Sequence, residues 1–164
     1  ILRAGIQAPS GKNRQHWRFL VVQGEDKRAE MVRLMRAGIA KAQAEGEQTG
    51  SAENSARIME QAPVTVFILN PHGMHPWLAH SIDQNFQELV DVQSIGAAIQ
   101  NMLLAALDLG IGSLWICDIL FAYTELLEWM GESGQLVAAI SFGYPNESPA
   151  ARPRKAFDEV VRWV

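Results

Sequence analysis

The sequence has a single cysteine, Cys117, among 164 residues, which excludes an internal disulfide framework and favours a reducing compartment. It also lacks a signal peptide, a lipidation motif and an uninterrupted apolar run of membrane-spanning length. Excess positive charge is missing too, since the formal net charge is −4 at pH 7. We therefore expect a cytoplasmic protein that binds neither nucleic acid nor membrane.

Common catalytic signatures are missing as well. The chain contains no G-x-S-x-G elbow, no H-E-x-x-H helix and no P-loop. His72, His75 and His80 lie close together, but no cysteine or carboxylate pattern completes a recognised metal site, so no metal is expected. Cys117 lies in an apolar, β-prone run and is expected to be an inert core thiol.

The chain has the length and composition of a single soluble domain, residues 1–164. Hydrophobic residues make up 48% and charged residues 20%. Helical segments are predicted between apolar runs, which gives an α/β or α+β sandwich. The strands are predicted at Trp17–Val22, Val64–Leu69, Ser113–Ile119 and Leu136–Tyr144.

Several connections are predicted from local signals. Asp26 is placed to cap a helix that follows the first strand, and Thr124–Met130 is a short amphipathic helix. The segment from residue 71 to Gln87 is expected to be irregular with at most a short helix. The C-terminal run Phe157–Val164 is either a strand or a short helix.

The segment Val92–Leu109 predicts a helix that is apolar around nearly its whole circumference, which indicates burial on every side. Gln100, Asn101 and Asp108 interrupt it and argue against a membrane span. Gly110 is placed to close the helix in a left-handed conformation. In a chain of this size, a second subunit is one source of the cover that such a helix needs.

Two polar clusters lie at opposite ends of the chain. The loop Pro9–Gln15 concentrates hydroxyl, amide and cationic donors, which suits a ligand with carbonyl and ring-nitrogen acceptors. The run Arg152–Lys155 has three cations stiffened by proline and suits a phosphate. An ordinary surface turn and a solvated basic turn are the respective alternatives.

A third cluster, Gly110–Trp115, contains two glycines between a helix and a strand. A dinucleotide-binding fingerprint has the order strand, glycines, helix, so this cluster does not match it. The alternative is a helix C-cap followed by a tight turn.

The three clusters appear in the order ILRAGIQAPSGKNRQHWRFLVV, SIGAAIQNMLLAALDLGIGSLWI and SFGYPNESPAARPRKAFDEVVRW, which resembles the flavin-dependent nitroreductase family. The most specific elements are A-P-S-x-x-N-x-Q-x-W and G-Y-P followed by P-R-K. The resemblance covers most of the chain outside residues 24–60 and 70–88. His16 replaces a usual proline, and the family's initial Arg-Arg-Ser-x-Arg segment is not found before Ile1.

This resemblance implies an α+β fold, a nitroreductase-like three-layer sandwich with a central mixed or antiparallel sheet flanked by helices. It also implies an interlocked homodimer with exchange of the C-terminal strand and active sites at the dimer interface. FMN is the implied cofactor. The residues whose positions match cofactor contacts are Pro9, Ser10, Gly11, Asn13, Gln15, Trp115, Ile116, Cys117, Arg152 and Arg154.

The implied reaction is a ping-pong transfer in which NADH or NADPH reduces the flavin and a small-molecule acceptor, a nitroaromatic or a quinone, oxidises it. No side chain is expected to be catalytic, since flavin N5 does the hydride chemistry. Residues 70–88, with His75, Trp77 and Phe86, are the candidate lid. The alternatives are a reductive dehalogenase, an FMN-modifying enzyme, a non-catalytic flavin-binding redox protein, and a structural dimer without cofactor.

Overall fold

A computed structural model describes residues 1–164. The helices are α1 (Leu2–Gly5), α2 (Glu25–Ala44), α3 (Ala52–Gln61), α4 (Ile82–Asp108), α5 (Tyr123–Met130) and α6 (Phe157–Val160). The strands are β1 (Arg18–Gln23), β2 (Val64–Asn70), β3 (Gly112–Ile116) and β4 (Gln135–Gly143). Two short 3-10 turns span Gly11–Asn13 and Asp118–Ala122.

The four strands form one sheet in the order β1-β2-β4-β3, and every neighbouring pair is antiparallel. Strand β2 is central and almost wholly buried, as its continuous apolar sequence predicts. Its alternate side chains enter opposite layers: Val66 and Ile68 on one side, Phe67 and Leu69 on the other. Strands β1 and β3 are the two edges of the sheet.

Helices cover both faces of the sheet, which makes three layers. One core contains buried residues of α2, α3 and α5 together with the Phe67 side of the sheet. The other packs α4 against the Val66 side, with α1 alongside α4. The predicted α+β three-layer sandwich is confirmed; the exchange of a C-terminal strand between subunits stays a prediction.

Helix α4 begins ten residues before the predicted start at Val92. Ser81 caps it reciprocally with Gln84: the Gln84 backbone N–H donates to Ser81 Oγ at 3.2 Å, and the Ser81 N–H donates to Gln84 Oε1 at 2.8 Å. Its first ten residues include Ile82, Phe86 and Leu89, but these are spaced among polar residues and are exposed, so the dense apolar run that begins at Val92 does not mark the start of the helix. Gly110 follows its end with φ of +69°, which confirms the predicted left-handed closure.

The expectation that this helix is buried on every side is wrong for the single chain. Its inner face lies on the sheet, whereas Leu104 and Leu107 on its outer face are 55% and 74% exposed. By length and mean hydropathy alone (1.3), α4 is apolar enough to cross a membrane. However, the helix is packed on the sheet through one face and has the buried carboxylate of Asp91 in its first half, as befits a core helix of a soluble domain.

Three local predictions are corrected. Asp26 does not cap α2, because the cap residue is Gly24 and Asp26 lies in the first turn. Strand β3 ends at Ile116 rather than Ile119, since a 3-10 turn follows. Cys117 is therefore an exposed residue after the strand and not a core thiol.

Candidate functional site

The donor loop, residues 9–16, has an unusual backbone. Lys12, Asn13 and Gln15 have φ values of 54°, 55° and 53°. These are left-handed backbone conformations, which residues other than glycine rarely adopt. Ser10 supports this path, because its Oγ accepts a hydrogen bond of 3.0 Å from the Gln15 N–H. The amides of Asn13 and Gln15 are exposed, and Gln15 Nε2 donates to Asn13 Oδ1 at 3.2 Å. The loop thus presents polar side chains outward from a constrained backbone.

Helix α4 holds the start of the donor loop. The Gly11 N–H donates to Ser94 Oγ at 3.2 Å, and that hydroxyl donates in turn to the Val90 carbonyl at 2.7 Å. A Cβ at Gly11 would lie 2.2 Å from Val90 Cγ1, so only glycine fits this close approach.

Asp91 of α4 holds the other end of the loop. Its carboxylate is 3.0 Å from an Arg14 guanidinium nitrogen and 3.1 Å from His16 Nδ1. Arg14 also donates to Gln87, one turn earlier on the helix. The His16 ring stands 4.3 Å, centroid to centroid, from that of His72. The donor loop is therefore anchored along one side of α4.

Trp115, at the end of β3, lies close to the same helix. Its ring tip is 3.9 Å from the point where a Cβ of Gly96 would be, and the residue is 40% exposed. Ile116 points the other way into the core, so only its backbone is available to a ligand. Although Cys117 is an exposed residue, partial burial of its thiol raises the pKa of that group, and the charge of Asp118 raises it further.

The basic cluster lies in the tail, residues 145–164. Arg152 and Arg154 are exposed, and the Arg154 guanidinium donates to the Arg152 carbonyl at 3.1 Å. No residue after Phe142 is buried, and every hydrogen bond made by the tail joins two of its own residues. The donor loop and Trp115 each contact α4, whereas these arginines make no hydrogen bond to either of them.

The loop between β2 and α4, residues 71–81, is tied down by Glu88. One carboxylate oxygen is 3.0 Å from His80 Nδ1, and the other accepts a 2.7 Å hydrogen bond from the Met74 N–H. His75 and Trp77 pack against the Tyr123 ring at centroid distances of 4.8 and 5.1 Å. Phe86 lies apart from this group, on the exposed side of α4.

Sequence reasoning missed the residues of α4 that anchor the loops. Gln87, Asp91 and Ser94 follow the four- and three-residue spacing of one helix face, which is the signal that was available. With a helix predicted to begin at Val92, Gln87 and Asp91 lie outside it and this spacing is not apparent.

A family model for the nitroreductase family matches residues 1–144. The chain belongs to the nitroreductase family. Its fold agrees with solved structures of nitroreductases, among them a candidate nitroreductase from Desulfovibrio desulfuricans crystallised in complex with FMN. That protein is 28% identical, the TM-score is 0.72, and the match covers 98% of this chain and 78% of that one.

Curated relatives agree with this assignment. A candidate NADH dehydrogenase/NAD(P)H nitroreductase of Archaeoglobus fulgidus is 30% identical over 152 residues, which are 90% of this chain and 71% of the relative. The NADPH-flavin oxidoreductase of Vibrio harveyi is 24% identical over 98% of this chain. The chain spans only 61% of the length of the Vibrio protein.

Proposed function

We propose that this nitroreductase-family chain is an FMN-dependent oxidoreductase that uses NADH or NADPH to reduce small acceptors such as nitroaromatics and quinones. The observation that carries the proposal is the donor loop, whose exposed amides are held on a constrained backbone against α4, within the 144 residues that match the family. The FMN complex of the Desulfovibrio relative and the names of the curated relatives support it.

The residues present fit FMN chemically. The flavin ring has carbonyl and ring-nitrogen acceptors along its edge, which the exposed amides of Asn13 and Gln15 match. Pro9, Ser10 and Gly11 would contact the ring beside these amides, and the backbone of residues 115–117 would supply further contacts. The phosphate requires cations, and the two exposed guanidiniums of Arg152 and Arg154 supply them.

FMN, when bound, supplies the hydride chemistry, so the chain needs no nucleophile of its own. The role of the chain's own residues is to bind and orient the cofactor. The donor loop would hold the polar edge of the ring, Trp115 would contribute apolar surface, and the arginines would hold the phosphate. The loop 71–81 and the first turns of α4, with His75, Trp77 and Phe86, form the lid that selects the acceptor.

The site is completed by a second copy of the chain. Seven residues of α4 form an outer face that points away from the sheet. Viewed along the helix axis, they fall within roughly 100° of one another. They are Ile82, Phe86, Leu89, Gln93, Gln100, Leu104 and Leu107, all exposed. The sequence of this face is nearly palindromic about the Gly96–Ala97 bond: Gln93 mirrors Gln100, Leu89 mirrors Leu104, and Phe86 mirrors Leu107. Two antiparallel copies crossing at Gly96 would match like with like, as an isologous interface requires.

The free edge of β1 offers the tail of a partner a place to bind. A groove of about 570 Å³ lies on one side of this edge and one of about 290 Å³ on the other, and Val21 and Gln23 line both. None of the proposed cofactor contacts lines the larger groove. A strand formed by residues 160–164 would direct Val161 and Trp163 into one groove and Val160 and Val164 into the other. We further propose a cytoplasmic location, on the basis of the single thiol and the soluble fold.

The proposal is tested by titrating the purified protein with FMN and recording its visible spectrum through gel filtration. We expect retained flavin bands that NADH or NADPH bleaches and a quinone restores. Arg154→Ala should weaken FMN binding by roughly tenfold, more at low salt than at high salt because salt screens the attraction between the guanidinium and the phosphate, whereas Arg57→Ala on the distant helix α3 should not. Failure of the wild-type protein to retain any flavin would contradict the proposed function.

A further inference from the structure

We infer that Asp91 is the positioning residue for the proposed flavin site: its buried carboxylate fixes the donor loop in the conformation that binds the ring. The inference rests on the proposed function for the identity of the ligand. Asp91 need not touch the flavin, since it acts through Arg14 and His16.

The geometry of the carboxylate supports this role. The side chain of Asp91 is only 7% exposed, and each of its two oxygens has a different basic partner, Arg14 at 3.0 Å and His16 at 3.1 Å. These partners flank Gln15, so the carboxylate fixes the chain on both sides of a proposed flavin contact. A buried carboxylate with two partners is held firmly in place, and so are the partners.

The backbone between the anchors explains why an anchor is needed. Three residues of the loop, Lys12, Asn13 and Gln15, adopt a left-handed conformation that a free loop would leave. At the other end, the Gly11 N–H is held by Ser94, one turn after Asp91. Asp91 and Ser94 together therefore fix the loop from both ends against one rigid helix, and the amides of Asn13 and Gln15 are preorganised before FMN arrives.

Asp91→Asn tests this inference, because it keeps the shape of the side chain but removes the negative charge that pairs with Arg14 and one of the two acceptor oxygens that Arg14 and His16 contact. We expect FMN to bind roughly 10- to 100-fold more weakly, the loss typical of a buried charged hydrogen bond. In the FMN-free protein, the amides of residues 11–16 should exchange with solvent faster, while those of β2 and β4 keep their protection. Asp108→Asn is the matched control, because it makes the same change at an exposed carboxylate at the end of the same helix.

A second variant approaches the same pair from the loop. Arg14→Gln should weaken FMN binding to a similar degree. The double variant, with both Asp91→Asn and Arg14→Gln, should bind FMN about as well as Asp91→Asn alone, because both substitutions remove the same Asp91–Arg14 interaction. Three results would overturn the inference: FMN affinity of Asp91→Asn within about twofold of wild type, unchanged exchange at residues 11–16, or an equal loss of protection across the whole sheet. If the wild-type protein itself bound no FMN, the proposed function would fail with it, whereas the exchange experiment would still show whether Asp91 holds the loop.

Discussion

The two faces of α4 are alike in sequence and opposite in environment. The inner face places Ile95, Ile99 and Met102 against the sheet, where they are fully buried. The outer face presents Leu89, Leu104 and other apolar side chains to solvent in the single chain. An exposed apolar stripe of this length is typical of a binding surface. Hydrophobicity therefore indicates that both faces are buried, but it does not identify the surface that covers each one.

The inner face should dominate folding. Met102 lies under Gly5 of α1, whose added Cβ would be 2.9 Å from its Cγ, and its side chain is fully buried. Met102→Ala should lower the free energy of unfolding by about 2–5 kcal/mol through the cavity it leaves, as measured by urea denaturation. Leu104→Ala, two residues along on the outer face, should lower it by about 1 kcal/mol or less. Equal losses for the two variants would contradict the distinction between the faces.

The outer face should dominate association. If two copies of α4 cross at Gly96, Gln93 of one faces Gln100 of the other. Gln93→Lys combined with Gln100→Lys should then weaken the dimer by roughly 10- to 100-fold through like-charge repulsion, as measured by sedimentation equilibrium.

The matched variant combines Gln93→Glu with Gln100→Lys, which places opposite charges together at both contacts. It should keep the dimer within about threefold of wild type. Equal behaviour of the two double variants would show that these positions do not meet and would remove the proposed crossing point.

The tail and the exposed edge of β1 form a second proposed contact between the two subunits. Trp163 is 85% exposed in the single chain, so Trp163→Ala should change nothing if the tail stays free. If the tail pairs with a partner's β1, the variant should weaken the dimer by about tenfold and speed hydrogen exchange of the β1 amides. Arg162→Ala serves as the control. Unaltered β1 exchange in the tryptophan variant would rule out the strand exchange.

Cys117, which directly follows β3, gives the smallest expected effect. Because burial and the charge of Asp118 raise the pKa of the thiol, its thiolate fraction near pH 8 is below that of an ordinary cysteine. Alkylation by iodoacetamide should therefore be slow at pH 8 and should accelerate only at higher pH. Asp118→Asn should shift this profile to lower pH. A rate at pH 8 equal to that of a free cysteine peptide would contradict the raised pKa.

Much of this molecule could be predicted from local sequence. The continuous apolar run of β2 indicated a strand buried on both faces, and Gly110 indicated the end of α4. The donor loop could be recognised as polar and irregular. In contrast, the start of α4 at Ile82 is not evident from the apolar run that predicts the helix, because Ile82, Phe86 and Leu89 are separated by polar residues and are exposed instead of covering the sheet.

The sequence by itself determined the strands, the apolar character of α4 and the family, because each depends on short-range patterns of residue type. Only the tertiary structure decided which residues hold the donor loop. Asp91 is 75 residues from His16 along the chain and 3.1 Å from it in space. Such a contact is produced by the packing of α4 across the sheet, and no local pattern contains it. The same packing leaves the outer face of α4 uncovered, since a helix on the surface of a three-layer sandwich can bury only one of its sides.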